Sequence, residues 1–357
     1  MSVQRLNSLR KKLDRENLDG MIVTHLDHIR YLVGFTGTAG LLIVNKRGAD
    51  FFTDVRYTFQ AGKQVKGARV HTAKAGLIAA LSDFPGLNVK NRKYGFVSEY
   101  LTVQHHGMLR EKLPNAVLIE ADEVVRELGW VKEKQEIEWI EKAVAISDTA
   151  FERVLQLVRP GVREKDLAAE LEYQMTMLGS EKPAFETILA SGYRSAMPHG
   201  MASRKKIAKG DFVTFDFGAT VCGYVSDMTR TVVIGKATAR QRKIYGIVKR
   251  AQAAAIRKMK PGASSKAVDA AARRTIEKAG FGKNFGHGTG HGIGYFIHVG
   301  PRLSPLTDDK LMINNVITVE PGIYIEGWGG VRIEDDVVVT RTGPRVLNRA
   351  EKKLLEL

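Results

Sequence analysis

Four acidic residues occupy matching places in the second half of the chain. Asp216 follows the run Phe212-Val213-Thr214-Phe215 and precedes Phe217-Gly218, while Glu320 follows Val316-Ile317-Thr318-Val319 and precedes Pro321-Gly322. A second carboxylate comes after each, Asp227 eleven residues beyond Asp216 and Glu334 fourteen beyond Glu320. Carboxylates converging in an interior repel one another and lose their hydration, so such a cluster calls for cations. Two divalent ions balance four carboxylates, whereas one leaves two negative charges uncompensated; the set points to a two-metal site. His291 lies in the Gly-rich run His287-Gly288-Thr289-Gly290-His291-Gly292-Ile293-Gly294, where glycines let the backbone approach a site closely. His298 comes seven residues later, and His199 stands in Pro198-His199-Gly200 before the first acidic strand. Oxygen ligands with one imidazole favour Mn, Co, Fe or Zn over Ca.

The elements that carry these residues recur in order. Val158-Arg159-Pro160-Gly161 precedes a helix predicted from Glu164, and Met259-Lys260-Pro261-Gly262 precedes one predicted from Ser265. Each helix is followed by one of the acidic strands, so the region reads as a duplicated domain with one site between its halves. Alternation in Phe212 to Gly218 puts Asp216 on the opposite face from Phe215 and Phe217. A turn over Gly218 to Gly223 is expected to bring Asp227 opposite Asp216 in a hairpin, and Glu320 and Glu334 to pair likewise. Upstream, the polar stretch Arg126 to Gln135 opens a long amphipathic helix that runs toward Pro160-Gly161. The first ~125 residues alternate helix and strand: a helix over 3–18, strands at 20–23, 40–44 and 50–53 and near Val70 and Tyr94, and helices over 75–83 and 103–112. The chain is therefore α/β (α+β), with a layered domain over 1–125 and a duplicated one over 126–357.

Composition narrows the classes. The chain has 357 residues, 44% of them hydrophobic, a comfortable length for two domains. Its 55 basic and 39 acidic residues leave +16, but the cations are dispersed and carry no nucleic-acid-binding signature. No nucleic-acid partner is expected. The single cysteine, Cys222, excludes an intramolecular disulfide framework and a Cys-rich zinc module. No apolar run approaches the ~18 residues of a membrane span, and the first residues have no signal-like apolar stretch, so a cytoplasmic location is expected.

The spacing Asp216, Asp227, His291, Glu320, Glu334 resembles that of the pita-bread metallopeptidases, the family of aminopeptidase P, prolidase and methionine aminopeptidase. The strings HGTGHGIGYFIH (287–298), ITVEPGIYI (317–325) and VRIEDD (331–336) look like its Xaa-Pro branch. HIRYLVGFTG (28–37) and FFTDVRYTFQA (51–61) resemble the creatinase-type domain that precedes it. The resemblance implies a creatinase-type N-terminal domain followed by a duplicated pita-bread domain. Asp216 would then serve one metal, His291 and Glu320 the other, and Asp227 and Glu334 both; Mn or Co is expected, with Zn or Fe as alternatives. His199 and His298 match histidines that hold substrate and the tetrahedral intermediate, and His287 matches another on the substrate side. Tyr324 and Arg332 match supporting residues of aminopeptidase P. Glu320 is the expected proton shuttle for attack by a metal-activated water. The implied activity is removal of the first residue from Xaa-Pro peptides, with dipeptide cleavage by a prolidase as the alternative. For a prolidase, Arg302 resembles an arginine that binds the substrate carboxylate. Val299 stands where the family usually has Glu, a change expected to alter the pocket. A homodimer is implied as well. Methionine aminopeptidases lack the N-terminal domain, whereas creatine-hydrolysing relatives and non-catalytic peptide-binding modules lose ligands that are all present here.

Overall fold

The structure, a computed structural model, describes residues 2–82 and 84–357. The chain forms two compact units, one ending at Gly129 and one spanning Trp130–Leu357. Among the described residues, no helix is long and apolar enough to cross a membrane.

The first unit begins with α1 (Ser2–Arg15), which buries Leu6, Leu9 and Leu13 at helical spacing. It stops short of residue 18 because Asn17 adopts a left-handed backbone, φ 53°. Then come β1 (Gly20–Val23), α2 (Leu26–Val33), β2 (Leu41–Asn45), β3 (Ala49–Asp54), α3 (Thr58–Gln64) and β4 (Arg69–Ala73). The unit ends with β5 (Lys93–Phe96), α4 (Val103–Lys112), β6 (Val117–Glu120) and α5 (Asp122–Arg126). The strands form a six-stranded mixed sheet in the order β4-β3-β2-β1-β5-β6. The helix expected over 75–83 is reduced to the single turn Ala79–Leu81. Gly76 at φ 102° and Gly86 at φ 83° bracket it, and residue 83 lies outside the described residues.

The second unit repeats a motif of two helices on a sheet. α6 (Lys134–Leu155) and α7 (Glu164–Met177) lead into β7 (Ile188–Ser191), β8 (Phe212–Phe217), the ribbon β9 (Thr220–Val221) with β10 (Tyr224–Val225), and β11 (Met228–Val233). α8 (Ala239–Ile256) and α9 (Ser265–Lys278) lead into β12 (Gly290–Gly292), β13 (Val299–Leu303), β14 (Val316–Val319), β15 (Gly322–Ile325), β16 (Gly329–Arg332), β17 (Asp335–Thr340) and β18 (Gly343–Val346). Phe215 and Phe217 pack with Phe151 of α6 and with Leu167 and Leu171 of α7. In the second half, Ile317, Val319, Val337 and Val339 pack with Ile244 and Val248 of α8 and Val268 and Ala272 of α9. Both acidic strands thus bury their apolar faces against a helix pair. The alternate face is left for Asp216 and Glu320.

The two hairpins differ in register. β8 pairs with β11 so that Phe217 faces Met228 and Asp216 faces Thr229. Asp227 therefore falls opposite Gly218, not opposite Asp216 as the sequence suggested. Instead of one tight turn, residues 218–227 contain the β9–β10 ribbon, and the extra residues displace the second carboxylate by two positions. In the other half Val319 pairs with Asp335 and Gly322 with Arg332; the same register carried between them sets Glu320 opposite Glu334.

Arg230 of β11 ties the halves together and is 1% exposed. Its guanidinium donates to the Glu334 carbonyl, to Asp335 Oδ1 at 2.8 Å and to the Ala350 carbonyl at 3.0 Å. Removing one member of a buried ion pair leaves its partner uncompensated, at a cost of about 3–5 kcal/mol. Asp335 also pairs with Lys352 and accepts from Gln252 Nε2 at 3.0 Å, so it keeps partners when Arg230 is lost. Arg230→Met is therefore expected to lower the unfolding free energy of the chelator-treated protein by less, about 1–3 kcal/mol, read from urea denaturation.

A buried cavity of carboxylates and histidines

The second unit has a solvent-open cavity of about 640 Å³ lined by His199, Asp216, Asp227, His287, His291, His298, Arg302, Glu320, Arg332 and Glu334. Tyr324 is set back from the wall, where its hydroxyl meets His287 Nε2 at 3.0 Å. Asp216, Asp227 and Glu334 each bring an oxygen to within 4.8 Å of the other two. His291 Nε2 lies 3.4 Å from Glu320 Oε1 and 3.6 Å from Asp227 Oδ2. The five residues predicted as ligands form one continuous donor set.

Electrostatics sharpens this picture. Burial, reinforced by Glu320 and Asp216, raises the pKa of Glu334 well above the carboxylate range, and burial with Glu334 does the same to Asp227. Burial pushes Glu320 up to about 7, and Asp216 also rises despite Arg332 beside it. Such shifts mark groups held together against their repulsion. Asp216 Oδ1 is buried with no hydrogen-bond partner among the described residues. A buried acceptor without a donor, inside a ring of oxygens completed by an imidazole, fits a centre for divalent cations.

The histidines are neutral donors or acceptors. Burial lowers His291 to about 3 and His287 to about 4. His291 Nδ1 lies 3.2 Å from the Gly292 carbonyl, which only accepts, so that nitrogen carries the proton and Nε2 presents its lone pair to the carboxylates. His287 Nδ1 likewise donates to the Gly288 carbonyl at 2.8 Å. Its Nε2 accepts from the Tyr324 hydroxyl, which in turn accepts from Arg332 Nη1 at 2.8 Å. Burial opposes charge on Arg332, but Tyr324 and the nearby carboxylates hold its pKa well above the ordinary value. Arg332 also pairs with Asp216 through Nη2 and donates from Nη1 to the Pro198 carbonyl at 3.0 Å, next to His199. The His298 ring lies 4.3 Å from that of His291, and burial, with Arg302 nearby, lowers its pKa. Arg302 faces His291 across the β12–β13 ladder. Val299 does not shape the cavity: it is 6% exposed and sits in β13 against Gly292.

Several residues that complete the site carry no sequence signal of their own. The Thr229 hydroxyl donates to Glu334 Oε2 at 2.5 Å and accepts from Arg332 Nε at 3.0 Å. Asp336 Oδ2 accepts from the Asp227 amide at 2.9 Å. Only the acidic doublet after Glu334 could have flagged Asp336. Phe185, Met201 and Ile297 add apolar wall.

Residues 138–341 match the model of metallopeptidase family M24, and residues 5–129 match the creatinase/prolidase N-terminal domain. The chain is 38% identical to an Xaa-Pro dipeptidase of Pyrococcus furiosus over 99% of both chains. Among solved structures it resembles an Xaa-Pro dipeptidase from Bacillus anthracis, with 40% identity, a TM-score of 0.96 and 100% coverage of both chains. It also resembles an X-Pro aminopeptidase from Thermotoga maritima, with 36% identity, a TM-score of 0.89 and coverage of 97% of this chain and 100% of that one.

The raised carboxylates give a signed prediction. Without metal, Asp227, Glu320 and Glu334 retain protons in the folded state at pH values where the unfolded chain has lost them, so the stability they contribute is lost as pH rises, through about 7 for Glu320. Cations displace those protons. The stabilisation by excess Mn²⁺ relative to chelator is therefore expected to grow with pH from 6.5 to 8. The slope is about 1.4 kcal/mol per pH unit for each proton displaced, and paired urea titrations measure it.

Proposed function

The chain belongs to metallopeptidase family M24, with the creatinase/prolidase N-terminal domain before the catalytic unit, and on that premise we propose that it hydrolyses the Xaa-Pro bond of dipeptides. The observation that carries this reading is a cavity lined by four carboxylates and a neutral imidazole, with Arg302 also in its wall. The ligands would divide as the resemblance suggests, Asp216 to one cation, His291 and Glu320 to the second, and Asp227 and Glu334 to both. Mn or Co suits this donor set, with Zn or Fe as alternatives. When bound, the cations supply Lewis acidity and bring the pKa of a water into the neutral range.

The side chains perform the remaining work. His199 and His298, from opposite sides of the sequence repeat, hold the carbonyl of residue one; an imidazole N–H donates to its oxygen as negative charge develops. Glu320 takes the proton of the attacking water and delivers it to the proline nitrogen as the C–N bond breaks. The chain Arg332–Tyr324–His287 fixes one wall by hydrogen bonds of 2.8 and 3.0 Å. Apolar wall residues Phe185 and Ile297 suit the proline ring, which has no N–H to satisfy.

Arg302 supports dipeptides over longer chains because a guanidinium fork can bind the proline carboxylate with two charge-assisted hydrogen bonds. The likeness to the Thermotoga maritima enzyme favours a second reading, in which the cleft accepts longer peptides. Comparing Ala-Pro with the same sequence extended by two residues separates them. The dipeptide is expected to have at least ~10-fold higher kcat/KM, and Arg302→Ala is expected to raise its KM ~10–100-fold with little change in kcat. Preferred cleavage of the longer peptide would favour the second reading. Asp227→Ala and Glu334→Ala are each expected to abolish turnover and lower bound metal. Retention of full activity and full metal occupancy by either would contradict the ligand assignment.

A further inference from the structure

His199 reaches the cavity on an irregular segment between β7 and β8 whose regular structure is one short turn, Gly192–Ala196. One buried side chain outside the cavity gathers that segment at both ends. Glu164, the first residue of α7, is 0% exposed. Its Oε1 accepts from the Ser191 amide at 2.7 Å and the Ser191 hydroxyl at 2.8 Å. Its Oε2 accepts from the Ser203 amide at 3.0 Å and the Ser203 hydroxyl at 2.6 Å, and also pairs with Arg194. Arg194 extends the clamp by donating from Nη2 to the Met201 carbonyl at 2.8 Å. Positions 191, 194, 201 and 203 are thus tied, directly or through Arg194, to a single carboxylate, and His199 lies on the arc between them.

The rest of the arc is held from the other side. Ser195 Oγ accepts from the Gly330 amide at 2.9 Å and donates to the Gly192 carbonyl at 2.6 Å, while Arg332 Nη1 donates to the Pro198 carbonyl at 3.0 Å. Arg332 and Gly330 belong to the same short strand, β16. The loop is consequently suspended between β16 and Glu164. A small displacement of a substrate-holding group is costly, because the reacting geometry must be preorganised. A carboxylate presents two acceptor oxygens to these donors, whereas an amide offers one acceptor oxygen and adds donors of its own.

We propose that Glu164 is a positioning residue for the peptidase reaction, fixing the 191–203 loop so that His199 meets the substrate carbonyl. This rests on the substrate-holding role of His199 proposed above. A helix-stabilising role alone would make Glu164 act independently of His199; a positioning role makes it act through that residue. Glu164→Gln, His199→Ala and the double variant, assayed on Ala-Pro with saturating Mn²⁺, separate the two. Glu164→Gln is expected to lower kcat at least 10-fold with bound metal unchanged. In the His199→Ala background the same substitution is expected to cost less than twofold. Hydrogen–deuterium exchange provides a readout without substrate: amides of 192–202 are expected to exchange at least 10-fold faster in Glu164→Gln, while those of 212–234 stay as in wild type. An equal loss in both backgrounds, or an unchanged exchange rate in the loop, overturns the inference. An inactive wild type whose loop loosens in Glu164→Gln defeats the Xaa-Pro reading instead and leaves the anchoring of the loop in place.

Discussion

Asp216, Asp227, Glu320 and Glu334 share one buried cavity, and their mutual repulsion sets the terms for everything around them. Burial raises all four pKa values, and like charge adds to the rise at Asp227, Glu320 and Glu334, so ionised carboxylates here are unfavourable without compensating cations. Arg332 is one compensating charge, paired with Asp216 and held protonated by the same field. The neighbouring histidines contribute none, since burial keeps His291 and His287 neutral. With every carboxylate ionised, Arg332 leaves three negative charges. Two divalent cations would reverse this to one positive charge.

Holding such a cluster together requires a frame that does not relax, and the duplicated unit supplies it by crossing contacts between its halves. Glu334, from the second half, accepts from the Thr229 hydroxyl and donates its amide to the Thr229 carbonyl at 3.1 Å in the first. Asp227, from the first half, donates its amide to Asp336 in the second. Arg230 spans the same junction, from Thr229 to Glu334 and Asp335. Each bridging carboxylate candidate is therefore secured by the opposite half. The two-residue difference in hairpin register makes this possible, because it places a hydroxyl rather than a second carboxylate opposite Asp216.

The cluster was legible in the sequence because its signals are local. Alternation placed Asp216 and Glu320 opposite their apolar neighbours, and repeated order of helix and acidic strand revealed the duplication. The register of the first hairpin was not legible, since the ten residues 218–227 gave no sign that they fold as their own ribbon. Arg230 and Glu164 were also missed. Their partners lie 104–120 and 27–39 residues away, so a basic residue in a strand and an acidic one in a helix's first turn look ordinary in sequence. In the N-terminal unit, β-rich runs located β1 to β5 but not the edge strand β6, and Asn17 and Gly76 overrode helical periodicity at helix ends through backbone conformation.

The glycines around His291 answer a different physical constraint from the one expected of them. Gly290 and Gly292 were expected to let the backbone approach a site closely, yet what they approach is the rest of the sheet. A Cβ on Gly290 would meet the Thr318 carbonyl oxygen at 1.9 Å, and one on Gly292 would meet the Gly300 carbonyl oxygen at 2.3 Å. Those contacts are with backbone, which cannot rotate away as a flexible side chain can. The strand β12 is short and lies between β13 and β14, and only residues without side chains fit on either side of its histidine. Close packing thus fixes the backbone of His291, the Gly292 carbonyl fixes its ring, and Nε2 is left standing between Glu320 and Asp227.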